Sequence, residues 1–115
     1  MPQTYATFAD DCFAGESVLI TGAASGMGLE TARAFSSKGA EVVMADRDEG
    51  ALERYGDELR QSGGKIHTVK VDVSDPESLA SVFDFCDANL ARLDNVVTCA
   101  AVITARRIHE QDWAH

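Results

Sequence analysis

Gly22, Gly26 and Gly28 sit in the segment Thr21-Gly22-Ala23-Ala24-Ser25-Gly26-Met27-Gly28, between an apolar run and an amphipathic window. A glycine-rich turn from strand to helix lets backbone N–H groups and the positive end of the helix dipole face a pyrophosphate. One glycine serves the tight turn, one the close approach of ligand, and one the packing of helix on strand. The bland alternative is a tight turn that holds no ligand. Asp46, at the end of the second expected strand, favours the nucleotide. A carboxylate there can bond the adenosine ribose hydroxyls and repel a 2′-phosphate. Arg47 is the kind of residue that accepts such a phosphate, yet Ser25 and not a second basic residue precedes Gly26, so NAD is expected ahead of NADP. Without a cofactor, Asp46 is a loop carboxylate opening the run Asp-Arg-Asp-Glu. The spacing is neither the Gly-x-Gly-x-x-Gly of the commoner dinucleotide fold nor a nucleotide-hydrolase loop, which needs Gly-Lys-Ser/Thr.

The remaining reactive side chains do not gather into a second site. Cys12, Cys86 and Cys99 are odd in number and far apart, which suits reduced thiols buried as small hydrophobes and not a disulfide framework or a zinc site. Cys99 has no preceding basic residue in its strand and no evident His partner, so it is not expected to be a nucleophile. His67, His109 and His115 show no metal-ligand spacing and are expected to be surface or incidental residues; no metal is expected.

The elements that must position the glycine loop follow from periodicity. Ser17 to Ile20 is a continuously apolar strand, expected to be covered on both faces. After the loop, a helix buries Ala32 and Phe35 and stops at Gly39. Glu41 to Ala45 is a second strand and Asp46 to Gly50 a loop. Leu52, Tyr55 and Leu59 mark a second helix, weakened by Gly56 and ending at Gly63-Gly64. Lys65 to Val73 contains a third strand. Ser74 or Asp75 caps a third helix with Pro76 in its first turn, and this helix buries Leu79, Val82, Phe83, Cys86 and Leu90. Asn95 to Cys99 is a fourth strand, and Asp112-Trp113 reads as a new helix start. Alternating strands and helices predict an α/β fold of βαβ units on a parallel sheet.

Composition bounds the function. The chain has 115 residues, with 19 acidic against 10 basic side chains, a net charge of −9, and 45% apolar and 25% charged content. That is ordinary for one globular domain and excludes disordered and collagen-like classes. Acidity and scattered basic residues, with only Arg106 and Arg107 adjacent, argue against nucleic acid. No apolar stretch is long enough to span a bilayer and no signal peptide is visible, so a cytoplasmic protein with no membrane partner is expected.

The pattern Thr-Gly-x-x-x-Gly-x-Gly at Thr21 to Gly28 resembles the fingerprint of the short-chain dehydrogenase/reductase family. Phe13-Ala14-Gly15-Glu16, Ala32-Arg33-Ala34-Phe35, Gly39-Ala40, Asp72-Val73 and Leu93-Asp94-Asn95-Val96-Val97 are similar to family positions in the same order. The resemblance implies a three-layer Rossmann-type fold with strand order 3-2-1-4, and an oxidoreductase that moves hydride between a nicotinamide cofactor and an alcohol/ketone pair. It also implies that the cofactor meets Gly22, Ala24, Ser25, Gly26, Met27 and Gly28 at the pyrophosphate, and Asp46 and Arg47 at the ribose. Asp72 would bond the adenine amino group, with the Val73 backbone beside it. Without a cofactor, Asp72 would cap the approach to the third helix. Cys99, Ala100 and Ala101 would lie near the nicotinamide ribose. Here the chain departs from the family: Thr98-Cys99-Ala100-Ala101 stands where Asn-Asn-Ala-Gly is expected. Ala101 therefore adds a Cβ, and the side chains that tie this strand end to its neighbours are lost.

The family's catalytic Ser, Tyr-x-x-x-Lys and Asn have no counterpart, since neither Tyr5 nor Tyr55 is followed by Lys at that spacing. Asp112-Trp113 is similar to the opening of the family's fifth major helix. Residues 1–115 are thus expected to form a single partial NAD(P)-binding domain that is inactive by itself and belongs to an oligomeric parent enzyme. A strand-four edge left bare at Asn95, Val96, Val97 and Thr98 would make such a piece self-associate or be marginally stable alone. The competing reading is a non-catalytic dinucleotide-binding or interaction module. A methyltransferase is more distant, because its glycine spacing is tighter.

Overall fold

The computed structural model describes residues 12–99, in which strands and helices alternate strictly: β1 (Ser17–Thr21), α1 (Gly26–Ser37), β2 (Glu41–Asp46), α2 (Glu49–Gln61), β3 (Lys65–Lys70), α3 (Pro76–Asn89) and β4 (Asn95–Thr98). All pairings are parallel and the sheet order is β3-β2-β1-β4. β1 and β2 are central, which is why Val18, Leu19, Ile20, Val42, Val43 and Met44 are fully buried and why these strands are continuously apolar.

Alternation along the strands divides the core into two layers. Val18, Ile20, Val42 and Met44 face one way and pack with Ala32 of α1 and Leu52 and Leu59 of α2. Leu19, Val43 and Ala45 face the other way and pack with Val82 and Cys86 of α3 and with Leu90 just after it. The result is the expected three-layer α/β arrangement.

Several details differ from the sequence expectation. α2 starts inside the segment read as a loop, because the Asp48 carboxylate accepts from the Ala51 N–H at 3.0 Å and caps the helix three residues before its first apolar side chain. Gly56 is not a weakness of α2. A Cβ there would lie 2.7 Å from Thr68 Cγ2, so the glycine lets helix and β3 approach closely. On α3 the buried stripe is narrower than expected. Phe83 is 40% exposed on its flank, whereas Phe85 packs against the second core layer. Cys12 is exposed, contrary to its expected burial, while Cys86 is buried and Cys99 half-buried. His67 is not incidental either. Its Nε2 lies 2.7 Å from Glu41 Oε2 on the neighbouring strand, a diagonal pair in the parallel register, and its ring meets Phe85 edge-on.

Asp75 caps α3 by accepting from the Glu77 N–H, with Pro76 in the first turn, so the choice between Ser74 and Asp75 falls to Asp75. Asp48→Ala is expected to lower stability by about 1 kcal/mol, read as a shift in the urea midpoint at unchanged slope. No helix among the described residues is long and apolar enough to cross a membrane. No described group of three or more His, Cys, Asp or Glu side chains could hold a metal. Residues 100–115, with Ala100, Ala101 and Asp112-Trp113, lie outside the described residues.

Candidate functional site

Parallel strands bring their C-terminal ends, and the loops that leave them, to one rim of the sheet. The Gly22–Ser25 turn leaves β1, Asp46 and Arg47 end β2, Asp72 to Ser74 follow β3, and Cys99 follows β4. Together they enclose an open cleft of about 440 Å³.

The glycine loop shapes one wall. Gly22 and Gly26 have φ of 72° and 58°, backbone that L side chains avoid. Gly28 is required by packing: a Cβ would overlap the Gly22 carbonyl oxygen and lie 2.7 Å from its carbon. Around Gly26 a Cβ would meet nothing within 4 Å, so the absent side chain leaves open space on the cleft side. Ser25 is the N-cap of α1 but makes no side-chain cap bond, and the first turn of α1 holds no acid. α2 and α3, by contrast, have an Asp cap and a first-turn Glu. The first-turn N–H groups of α1 and its positive dipole end are therefore not neutralised by a side chain of their own helix.

Asp46 lines the cleft beside the loop. One carboxylate oxygen accepts from the Ala24 N–H at 3.0 Å and the other from the Asp48 N–H at 3.0 Å. Each oxygen keeps lone-pair capacity for a further donor. Arg47 is exposed beside it. Asp72 accepts from the Ser74 hydroxyl at 2.6 Å and from the Ser74 N–H at 3.0 Å, while its own N–H donates to Ser78 Oγ. The Ser74 hydroxyl first and the Ser74 N–H second hold the Asp72 carboxyl below its ordinary range, with the Arg47 charge adding to them against partial desolvation. Because this pKa is depressed on folding, its stabilising effect is complete above the unfolded-state value and fades as pH falls through the folded one.

Of the residues expected from sequence, Gly22, Ser25, Gly26, Met27 and Gly28 line the cleft on the loop side. Asp46, Arg47, Asp72, Val73 and Cys99 line it elsewhere. Ala24 does not line it. Its side chain is buried at 3% exposure in the first core layer, and its contribution is the N–H given to Asp46. Val71 and Ser74 also line the cleft and were not expected there. Their only signal was adjacency to Asp72, since apolar Val71 reads as strand and Ser74 as a cap. Met27 is 79% exposed at the mouth. Thr21 Oγ1 is buried without a hydrogen-bond partner among the described residues.

A family model described as short chain dehydrogenase matches residues 16–115. An uncharacterized oxidoreductase, YxnA, of Bacillus subtilis is 42% identical over 87 residues, which is 76% of this chain and 24% of that protein. The cis-4-hydroxycyclohexanecarboxylate dehydrogenase of Sinomonas cyclohexanicum is 37% identical over 90% of this chain and 42% of its own length. A short chain dehydrogenase/reductase from Burkholderia phymatum, solved in complex with NAD, superposes with a TM-score of 0.71 at 36% identity, over 73% of this chain and 30% of that one. The chain thus spans less than half the length of each relative.

Proposed function

Because the chain belongs to the short chain dehydrogenase family, we propose that it supplies the nucleotide-holding part of a nicotinamide-dependent oxidoreductase acting on an alcohol or carbonyl compound. The observation that carries this reading is the convergence in one cleft of an uncapped helix N-terminus, a side-chain-free loop and the Asp46 carboxylate. These groups fit a dinucleotide: amide donors and a dipole for a pyrophosphate, open space at Gly26 for its approach, and an anionic acceptor for ribose hydroxyls.

When bound, the nicotinamide supplies hydride transfer. In this reading Ser25 to Gly28 hold the pyrophosphate through backbone N–H groups. Asp46 accepts from the ribose hydroxyls on its remaining lone pairs, and its charge disfavours a 2′-phosphate, with Arg47 close enough to offset part of that repulsion. Asp72, kept ionised, accepts from the adenine amino group beside the Val73 backbone. Cys99, just after β4, faces the nicotinamide end, and the family motif assigns Ala100 and Ala101, outside the described residues, to the same end. The proposal includes an oligomeric parent enzyme and a cytoplasmic setting, for which three free thiols are suited.

Calorimetric titration with NADH and NADPH tests the cofactor assignment. NADH is expected to bind more tightly, and Asp46→Ala to move the NADPH-to-NADH affinity ratio about tenfold toward NADPH, the equivalent of about 1.4 kcal/mol. A protein that prefers NADPH overturns the NAD assignment, and one that binds neither removes the nucleotide reading.

A further inference from the structure

We propose that Asp46 is a positioning residue that fixes the shape of the glycine loop, in addition to facing the ribose; the functional meaning of this rests on the nucleotide reading above. β1 and β2 pair in register as far as Thr21 and Ala45, after which the chain of β1 turns away. Contact between the two segments nevertheless continues. The Ala23 N–H donates to the Ala45 carbonyl at 3.2 Å, and the Ala24 N–H donates to an Asp46 carboxylate oxygen at 3.0 Å. The second Asp46 oxygen accepts from the Asp48 N–H, at the entry to α2. One side chain therefore ties together the end of β2, the loop above β1 and the start of the next helix.

The loop depends on this tie. Ala23 and Ala24 are 0% and 3% exposed, so their side chains are anchored in the core and the Ala24 N–H has little water to turn to if the carboxylate is removed. With the Ala23 and Ala24 N–H groups directed toward β2, the cleft is left to the amides from Ser25 onward. A change at Asp46 made to alter ribose selectivity therefore also disturbs the backbone that would hold the pyrophosphate. Asp46→Ala is expected to weaken NADH and NADPH together while shifting their ratio.

Amide hydrogen exchange of the ligand-free protein tests the tie independently of any nucleotide. In Asp46→Ala the Ala24 amide is expected to exchange about tenfold faster or more, the effect of losing a charge-assisted hydrogen bond, while the core amides of β1 and β2 keep their protection. In Asp46→Asn a single carbonyl oxygen can serve only one of the two N–H groups. One of the Ala24 and Asp48 amides should therefore stay protected and the other be released. Unchanged Ala24 exchange in Asp46→Ala overturns the proposal. Should that variant not fold, scalar coupling across the hydrogen bond between the Ala24 nitrogen and the Asp46 carboxyl carbon of the unaltered protein decides: its presence supports the tie and its absence overturns it. Failure of the unaltered protein to bind NADH would remove the nucleotide reading and leave these exchange results standing.

Discussion

Gly28→Ala is expected to lower stability by about 3 kcal/mol and to abolish detectable NADH binding. The new Cβ would lie 2.0 Å from the Gly22 carbonyl oxygen, and no rotamer change can move either atom aside. Relief requires α1 to lift from the end of β1 or the turn to open. Either movement displaces the first-turn amides that face the cleft. Gly26→Ala is the informative contrast. Its Cβ meets no neighbour within 4 Å, so the stability cost is only the strain of an L residue at φ 58°, about 1 kcal/mol. Binding should nevertheless fall sharply, because the methyl group projects into the space assigned to the pyrophosphate. Urea unfolding and calorimetric titration of both variants check the pair. An unaltered midpoint for Gly28→Ala would contradict the packing argument, and unaltered NADH affinity for Gly26→Ala would contradict the phosphate assignment.

The second large effect is a missing one: the 115-residue polypeptide should oxidise no alcohol and reduce no carbonyl compound at a measurable rate. Hydride transfer to or from a carbon bearing oxygen needs a proton delivered to or taken from that oxygen, and a positioned acid or base contributes about 10²- to 10⁴-fold. The sequence offers no Tyr-x-x-x-Lys pair for this step, and no Tyr, Lys or His lines the cleft among the described residues. Following NADH absorbance with a panel of alcohols and ketones at high protein concentration gives the answer. Turnover that copurifies with the polypeptide and is lost in Gly28→Ala would show that it holds an acid–base group after all.

Most of the architecture was legible because each signal was local. Apolar runs that follow Gly15 and Gly39 give β1 and β2, and Asp75-Pro76 opens α3. The gathering of ten candidate residues around one cleft follows from the parallel order, which places every strand's C-terminal end on the same rim. What was not legible depended on distance in sequence. Gly56 looks like a helix breaker until Thr68 is seen against it. Phe83 and Phe85 are indistinguishable by hydropathy, and the single sheet face available to α3 decides which is covered. The pairing of His67 with Glu41 depends on strand register. Ala24 was assigned to the cleft from its place in a motif, and the burial of its methyl group could be known only once β2 lay beside it.

The order of the sheet also sets a timetable for the chain as it is made. β2 follows β1 closely, and β3 follows β2, so these pairings close short loops soon after each strand is synthesised. β1, however, lies between β2 and β4, and the Ser17 N–H is bonded to Asp94, 77 residues further on. Until the ribosome has released β4, one flank of the most apolar strand in the sheet has no native partner, and that bare flank is the surface on which a nascent chain is most exposed to mispairing.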